Sequence, residues 1–301
     1  MTSRFVHSNK RFAWVLNLDA DLELAAPRSY APRKSVRRAM APFVALLARS
    51  LLGPEDLLVD ESSSPRAARG LTGRAFCPTP RALALLRRAG AELEPAPSFD
   101  VLRRVNSRAF AASFGPTLPG AAFVTNTDDA SRMLGEPPAV GAAWRIKRAF
   151  GMTGRGQRIV QAKRATEADL AFVRAGMLEG GVQVEPNVVI AREFAIHAML
   201  GGDRAMQVGC LVEQRCDARG AWLASEAIRT PSVAESEIWT RLASEADRVG
   251  AALAAAGYFG PFGIDAYTYL GAEKANRLQP LSEINARYSM GFALGLTPPR
   301  A

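Results

Sequence analysis

The sequence predicts two kinds of fold in series: a parallel α/β domain over residues 1–118, then an α+β region of antiparallel character. Three observations predict it. Strand-like and helix-like runs alternate in the first hundred or so residues. A cluster of glycines and prolines, SFGPTLPGAAFV at 113–124, then interrupts the chain. Beyond that break short alternating strands dominate, and the chain closes on a hairpin-like pair.

FAWVLNLD (12–19) is a strand-like run, and SVRRAMAPFVALLARSLL (35–52) carries a helical apolar pattern. DLLVD (56–60) is a short strand. TPRALALLRRAGA (79–91) reads as a capped helix, with Thr79 as N-cap, Pro80 at the first position and Gly90 as stop. AELEPAP is a short strand and turn. After the break, AWRIKRAF (143–150) and GQRIVQA (156–162) are strands separated by GMTGRG, and residues 166–179 form a helix. VQVEPNVVI and REFAIHAML are two strands with a short break; RAMQVGCLVEQR (204–215) and AWLASEAIR (221–229) are two more. A long helix covers 233–256, and GPFGIDAYTYL and NRLQPLSEINA pair at the end.

Composition bounds the function. The chain has 301 residues, 48% of them hydrophobic and 22% charged, which is ordinary globular material. No apolar run reaches the roughly 18–20 residues of a membrane helix, and the N-terminus lacks the apolar core of a signal peptide. A cytoplasmic location and no membrane partner are expected. The net charge is +9, but 33 of the 38 basic residues are arginines, many beside alanine. That is a compositional bias, with no nucleic-acid motif and no basic-aromatic interleaving. No nucleic-acid partner is expected; anionic small molecules fit the charge equally well. Cys77, Cys210 and Cys216 are odd in number and lack metal-like pairing, so they read as incidental thiols.

The chemistry sits in four stretches. Lys147 ends one strand before the glycine-rich GMTGRG (151–156), which suits either a phosphate grip or a plain flexible hairpin. VQVEPNVVIAREF (182–194) places Glu185 beside Pro186, which breaks the strand, with Glu193 on the next one. It is a surface hairpin with two solvated acids, or a break that offers backbone edges to a flat base. Asp265 interrupts an apolar strand, where an acid needs a partner or a cation. Glu283, Asn285 and Arg287 alternate in EINAR, so on a strand they share one face while Ile284 and Ala286 take the other. Asp265, Glu283 and the Asn285 amide make either a hard-oxygen Mg²⁺ site shared with phosphates, or a salt-bridge cluster with Arg287.

Taken in this order, the lysine and glycine loop, the broken strand with its two acids, and Asp…Glu-x-Asn-x-Arg resemble the ATP-grasp superfamily over about residues 115–295. VNSRAF (105–110) and LPGAAFV resemble the domain that precedes it. The resemblance implies an N-terminal parallel α/β domain (1–118) followed by two α+β lobes (119–200 and 201–301) that clasp the nucleotide. It implies that Lys147 contacts a phosphate and the adenine edge, and that Gly151, Thr153, Gly154 and Gly156 fold over the β- and γ-phosphates. Glu185 and Val188 become adenine hinge positions, and Glu193 the ribose acid, one residue later than is usual. Asp265, Glu283 and Asn285 become ligands of Mg²⁺, with Mn²⁺ as a substitute, and Arg287 the arginine on the transferring phosphoryl group. The family's second nucleotide-contacting lysine is missing from NTDDASRMLGEPP, where Arg132 is the substitute on offer.

The implied activity is an ATP-dependent ligase. A carboxylate substrate is phosphorylated by ATP, and an amine substrate then attacks the acyl-phosphate to give an amide, ADP and phosphate. The alternatives are a kinase-like phosphotransferase and a non-catalytic nucleotide-binding protein. Arg229 and Arg287 together could hold an acidic substrate. Arg148, Tyr288, Ser289 and Met290 read as structural or as substrate contacts, and His197 as a packed strand residue over a substrate contact. Dimers are common among proteins of this kind, so a homodimer is an expected assembly.

Overall fold

The computed structural model describes residues 11–26, 30–115, 117–151, 154, 156–217, 220–271, 273 and 275–296. Of these, 11–20 with 31–99 form one compact unit, and 21–26 and 30 with the described residues from 100 onward form a second.

The first unit is built on a parallel sheet of order β2-β1-β3-β4, from β1 (Phe12–Val15), β2 (Leu57–Leu58), β3 (Thr72–Ala75) and β4 (Glu92–Leu93). Helix α1 (Ala20–Ala25) follows β1 in the chain but, from Asp21 on, belongs to the second unit; α2 (Lys34–Leu51) precedes β2 and α3 (Pro80–Arg88) links β3 to β4. Ala13, Val15, Leu71, Ala75, Leu85 and Leu86 share one apolar cluster. The strand-like run 12–19 stops at Val15, because Asn17 turns the chain: its amide donates to the Cys77 carbonyl (2.8 Å) and its Oδ1 accepts from the Cys77 N–H (3.1 Å). Thr79 does sit at the N-cap, but its hydroxyl accepts from Asn17 Nδ2 (3.1 Å) and makes no bond to the helix. Strand β3 was not legible, since TGRA has little strand propensity. Gly73 stands there because a Cβ would lie 3.1–3.3 Å from Leu93, Ala91 and Leu86.

In the second unit every strand pair is antiparallel. Short helices α4 (Phe99–Val105) and α5 (Arg108–Ala112) lead into β5 (Ala122–Val124) and α6 (Thr127–Gly135). The hairpin β6 (Ala143–Arg148) and β7 (Gln157–Gln161) follows, then α7 (Glu167–Met177) and β8 (Val182–Pro186). These strands pair in the order β5-β8-β6-β7. Trp144, Ile146, Val182 and Val184 point to one side, where Ala130 and Leu134 of α6 and Val173 of α7 cover them. The opposite side of β6 and β8 is therefore polar, carrying Arg145, Lys147, Gln183 and Glu185.

The second sheet of this unit has the order β11-β10-β9-β12-β13. Its strands are β9 (Ile190–Leu200), β10 (Met206–Cys216), β11 (Trp222–Ala227), β12 (Gly260–Leu270) and β13 (Asn276–Asn285). Phe194, Ile196, Phe262, Ile264 and Ile284 are buried on one face. Helix α8 (Val233–Ala255), capped by Ser232 in a capping box with Glu235, lays Leu242, Ala246, Val249 and Leu253 along one side and packs on β9, β10, β12 and β13. The other face holds the polar residues, and α9 (Phe292–Leu296) covers its end over β9, β10 and β11.

Gly181, just before β8, marks a close approach to the neighbouring strand β5. It has φ +128°, and a Cβ there would sit 2.5 Å from the Val124 carbonyl and 2.7 Å from the Phe123 ring. Gly181→Ala is expected to cost about 2 kcal/mol or more. A calorimetric melt should show a fall of about 4–8 °C; an unchanged melting temperature would refute this account of the turn.

Candidate active site

Two polar faces of the second unit carry the predicted residues. On the first, Lys147 Nζ lies 2.6 Å from Glu185 Oε1, with side chains only 14% and 4% exposed. Glu185 Oε2 also accepts from the Thr117 hydroxyl (3.0 Å). The acid is therefore not solvated; it is part of a buried pair with its own hydrogen bond. Arg145, two residues before Lys147 and on the same face, donates to Asn187 Oδ1 (2.8 and 3.1 Å) and Gln157 Oε1 (2.9 Å). Gly151, Gly154 and Gly156 bridge β6 and β7, with φ +70° at Gly154 and +76° at Gly156; the Arg148 N–H donates to the Gly156 carbonyl (2.8 Å). Thr153 lies outside the described residues.

On the second face, Asp265 of β12 stands directly across from Glu283 of β13, and Gly263 across from Asn285. Asp265 Oδ1 accepts from Gln214 (2.9 Å) and Oδ2 from Asn285 Nδ2 (2.8 Å). Arg108 of α5 holds both Glu283 oxygens at 3.0 Å. The two acids titrate apart. Burial, then the neighbouring Glu283 charge, push the Asp265 carboxyl up to about 7. Burial also acts against the Glu283 anion, but Arg108, Lys147 and Arg287 outweigh it and hold this carboxyl below its usual range.

Arg287 lies just past the end of β13. It pairs with Asp21 (2.7 Å), not with Asp265 or Glu283, yet its charge acts on both acids. Neither salt bridge that EINAR allowed is the one formed: Glu283 takes Arg108 and Arg287 takes Asp21. Between Asn285 and Arg287, the Asn106 side chain accepts from the Ala286 N–H (2.9 Å) and donates to its carbonyl (3.3 Å), which fixes the strand end from both sides.

Glu193 sits on β9 across from Tyr267 of β12 and Gln214 of β10, beside the Cys216 thiol. Val188 packs against an apolar cluster of Leu118, Ala121, Tyr267 and Tyr269. Tyr267 ties the two faces together. Burial raises its hydroxyl well above the usual range, Glu185 and Glu193 push it further, and Arg145 opposes them. Lys147, Glu185, Val188, Glu193, Asp265, Glu283, Asn285 and Arg287 thus converge.

Arg229 does not join them. It is exposed in the bend after β11. Strand β11 is the far edge of the sheet from β13, four strand spacings or about 19 Å away. Arg132 is not the missing cation: it lies on the outside of α6, 76% exposed, paired with Asp129. Arg108 is the cation that hydrogen-bonds Glu283, and sequence reasoning missed it. A signal was present, since a basic residue in the first turn of a helix capped by Ser107 runs against the helix dipole. His197 is a packed residue, 2% exposed, with the Phe292 ring edge-on at 5.9 Å and burial pushing its pKa down to about 4. Arg148 pairs with Glu179, and Tyr288 packs on Phe292.

The donor set fits a divalent cation shared with another ligand. Among the described residues no three His, Cys, Asp or Glu side chains stand together as a cage. Two facing carboxylates with an amide beside them are too few for an all-protein site, and they repel when both are charged. A dication held jointly with phosphate oxygens removes that repulsion.

The raised Asp265 carboxyl is visible in stability. The folded group holds its proton to about pH 7, the unfolded one only to about 3.9. Between those values the folded state binds more protons, so this group's contribution to stability falls as pH rises from about 4 to 7. With a chelator present, Asp265→Asn is expected to gain in melting temperature over the wild type at about pH 8, and to gain less at about pH 5. A variant less stable than wild type at the higher pH would refute the strain assigned to the pair.

No family model and no curated protein sequence matches the chain. Solved structures do. D-alanyl-alanine synthetase A from Vibrio cholerae superposes with a TM-score of 0.57 at 13% identity, covering 97% of this chain and 92% of that one. N5-carboxyaminoimidazole synthetase from Staphylococcus aureus, complexed with ADP, gives 0.50 at 12% identity, covering 93% and 71%. Carboxyaminoimidazole ribonucleotide synthase from Aspergillus clavatus, complexed with ATP, gives 0.50 at 17% identity over the same shares. At such identities the likeness is one of architecture, and the chain has the ATP-grasp fold.

Proposed function

We propose that this protein is an ATP-dependent ligase that joins a carboxylate to an amine through an acyl-phosphate, releasing ADP and phosphate. The observation that carries the reading is the facing pair Asp265 and Glu283, ringed by Arg108, Lys147 and Arg287. Two acids forced together amid three cations form a site built for a dication and a polyanion at once.

In this reading Val188, Tyr267 and Glu185 meet the adenine, Glu193 the ribose, and Lys147 with the loop glycines the phosphates. Asp265, Glu283 and Asn285 would hold Mg²⁺ or Mn²⁺, which supplies charge neutralisation on the phosphates. Arg108 would leave Glu283 for a phosphate oxygen as the nucleotide binds. A carboxylate oxygen of the acid substrate attacks the γ-phosphorus and ADP departs. The amine then attacks the acyl carbon, the phosphate leaves with the C–O bonding electrons, and the amine gives up a proton. Arg287, held by Asp21, meets the negative charge that builds up in both steps. No protein nucleophile is required, so positioning and electrostatics do the chemistry.

In a thermal-shift titration, nucleotide with Mg²⁺ at about 100 times its dissociation constant should add about 2.7 kcal/mol. Glu283→Gln should weaken the Mg²⁺-dependent part of that shift. No shift up to millimolar ATP would sink the nucleotide reading. Given an acid substrate, hydroxylamine should trap the acyl-phosphate as a hydroxamate with ADP release. ADP release with a stable phosphorylated product and no hydroxamate would favour phosphotransfer instead. Arg287→Ala should lower turnover by about 10²–10³-fold, with a smaller effect on the KM for ATP.

A further inference from the structure

Outside the carboxylate cluster, the second unit contains a cleft of about 540 Å³. That is the size of a small-molecule pocket. Its wall includes Asp100, Arg103 and Arg104 of α4 and Ser107, the N-cap of α5. Phe110 of α5 and Phe150 give it apolar surface, and Glu179 and Gly180 also line it. Phe150 directly precedes the glycine loop.

The charges in this cleft are unevenly committed. Glu179 is taken by Arg148 at 2.7 Å. Arg103 donates from Nε to the Leu24 carbonyl (3.0 Å) and holds its cation 5.8 Å from the centre of the Phe150 ring. That leaves its two Nη groups without a partner among the described residues. Arg104 is exposed and has no ion pair among them either. An arginine already ordered by one bond and one ring loses less entropy when it grips a ligand. Two neighbouring guanidinium groups with open donors, above aromatic carbon, match an oxyanion on an apolar body.

We propose that this cleft binds a substrate with an oxyanion head, a carboxylate or a phosphate, held by Arg103 and Arg104, and an apolar body laid against Phe110 and Phe150. The assignment to a substrate rests on the ligase reading; the binding itself does not. The cleft then selects the substrate by a head group remote from the reacting bond, and places it at the base of the glycine loop.

The test is calorimetric titration of the whole chain without nucleotide, using 3-phenylpropanoate, its neutral amide 3-phenylpropanamide, and inorganic phosphate. Phenylpropanoate should bind one to one, at least about tenfold tighter than the amide. Arg104→Glu and Ala109→Trp, which reverses a charge and fills the cleft from α5, should each weaken it about tenfold or more, with circular dichroism confirming the fold. Phosphate that displaces phenylpropanoate supports the subsite and names phosphate as the better head group; phosphate that fails to compete supports a carboxylate. Amide binding equal to the acid, no binding, or indifference to both variants would overturn the proposal. So would stoichiometric displacement by ATP, which would give the cleft to the nucleotide. The wild-type response to Mg²⁺ and ATP, measured separately, tells failure of the cleft from failure of the ligase reading.

Discussion

Two carboxylates placed opposite each other on adjacent strands organise this molecule. Asp265 and Glu283 are set in register by antiparallel pairing, and burial, with the facing Glu283 charge adding to it, drives the Asp265 pKa far above that of an ordinary aspartate. Such a pair survives only if the rest of the fold over-determines it. Ile264 and Ile284, the neighbours that point the other way, are pinned under α8. Gln214 and Asn285 each give an amide N–H to Asp265, while Arg108 takes Glu283. The apolar face supplies the stability that the polar face uses, as expected where a site is strained for a ligand.

The cations around the pair come from distant parts of the chain, and each is held by something other than the acids' own strand. Lys147 is fixed by Glu185 across its sheet, and Arg287 by Asp21. Asn106 grips both backbone groups of Ala286, so the residues on either side of it cannot drift. Arg108 begins its helix two residues after Asn106 and reaches Glu283 from there. The stretch 106–108 therefore does two things at once: it anchors the end of β13 and it neutralises one of its acids. A single short segment that both positions and balances a charge pair costs less ordering entropy than two separate ones.

What could be read from the sequence was what a short window encodes. The alternation in LSEINA gave the polar face of β13, the apolar run around Asp265 gave β12, and the pairing of the two followed from their closeness in the chain. Lys147 and its glycines were legible for the same reason. What could not be read was long-range. Arg108 meets Glu283 across 175 residues and Arg287 meets Asp21 across 266, and no local pattern carries those pairings. Strand β3 was missed because Gly73 is there for its lack of a side chain, which propensity counts against a strand. Arg229 and Arg287 pair on paper because two guanidinium forks suit an acidic substrate and Arg229 ends a strand. The strand order, which separates them to opposite edges, is not a property of either strand alone.

The close packing around His197 shows why the polar face ends where it does. His197 lies across from Gly263 on the same face as the two acids, so alternation alone would make it part of the site. It is instead sealed by glycines: a Cβ at Gly263 would meet Cδ2 at 3.1 Å, one at Gly291 would meet Cε1 at 3.0 Å, and one at Gly295 would meet Nδ1 at 2.8 Å. Gly291 and Gly295 let α9 and the turn before it close down on the ring, Gly263 leaves room for it on β12, and burial keeps the imidazole neutral at any ordinary pH. A charged histidine one row from Asp265 would compete with the dication this site is built to take. A neutral one, packed against Phe292, ends the polar surface without adding charge to it.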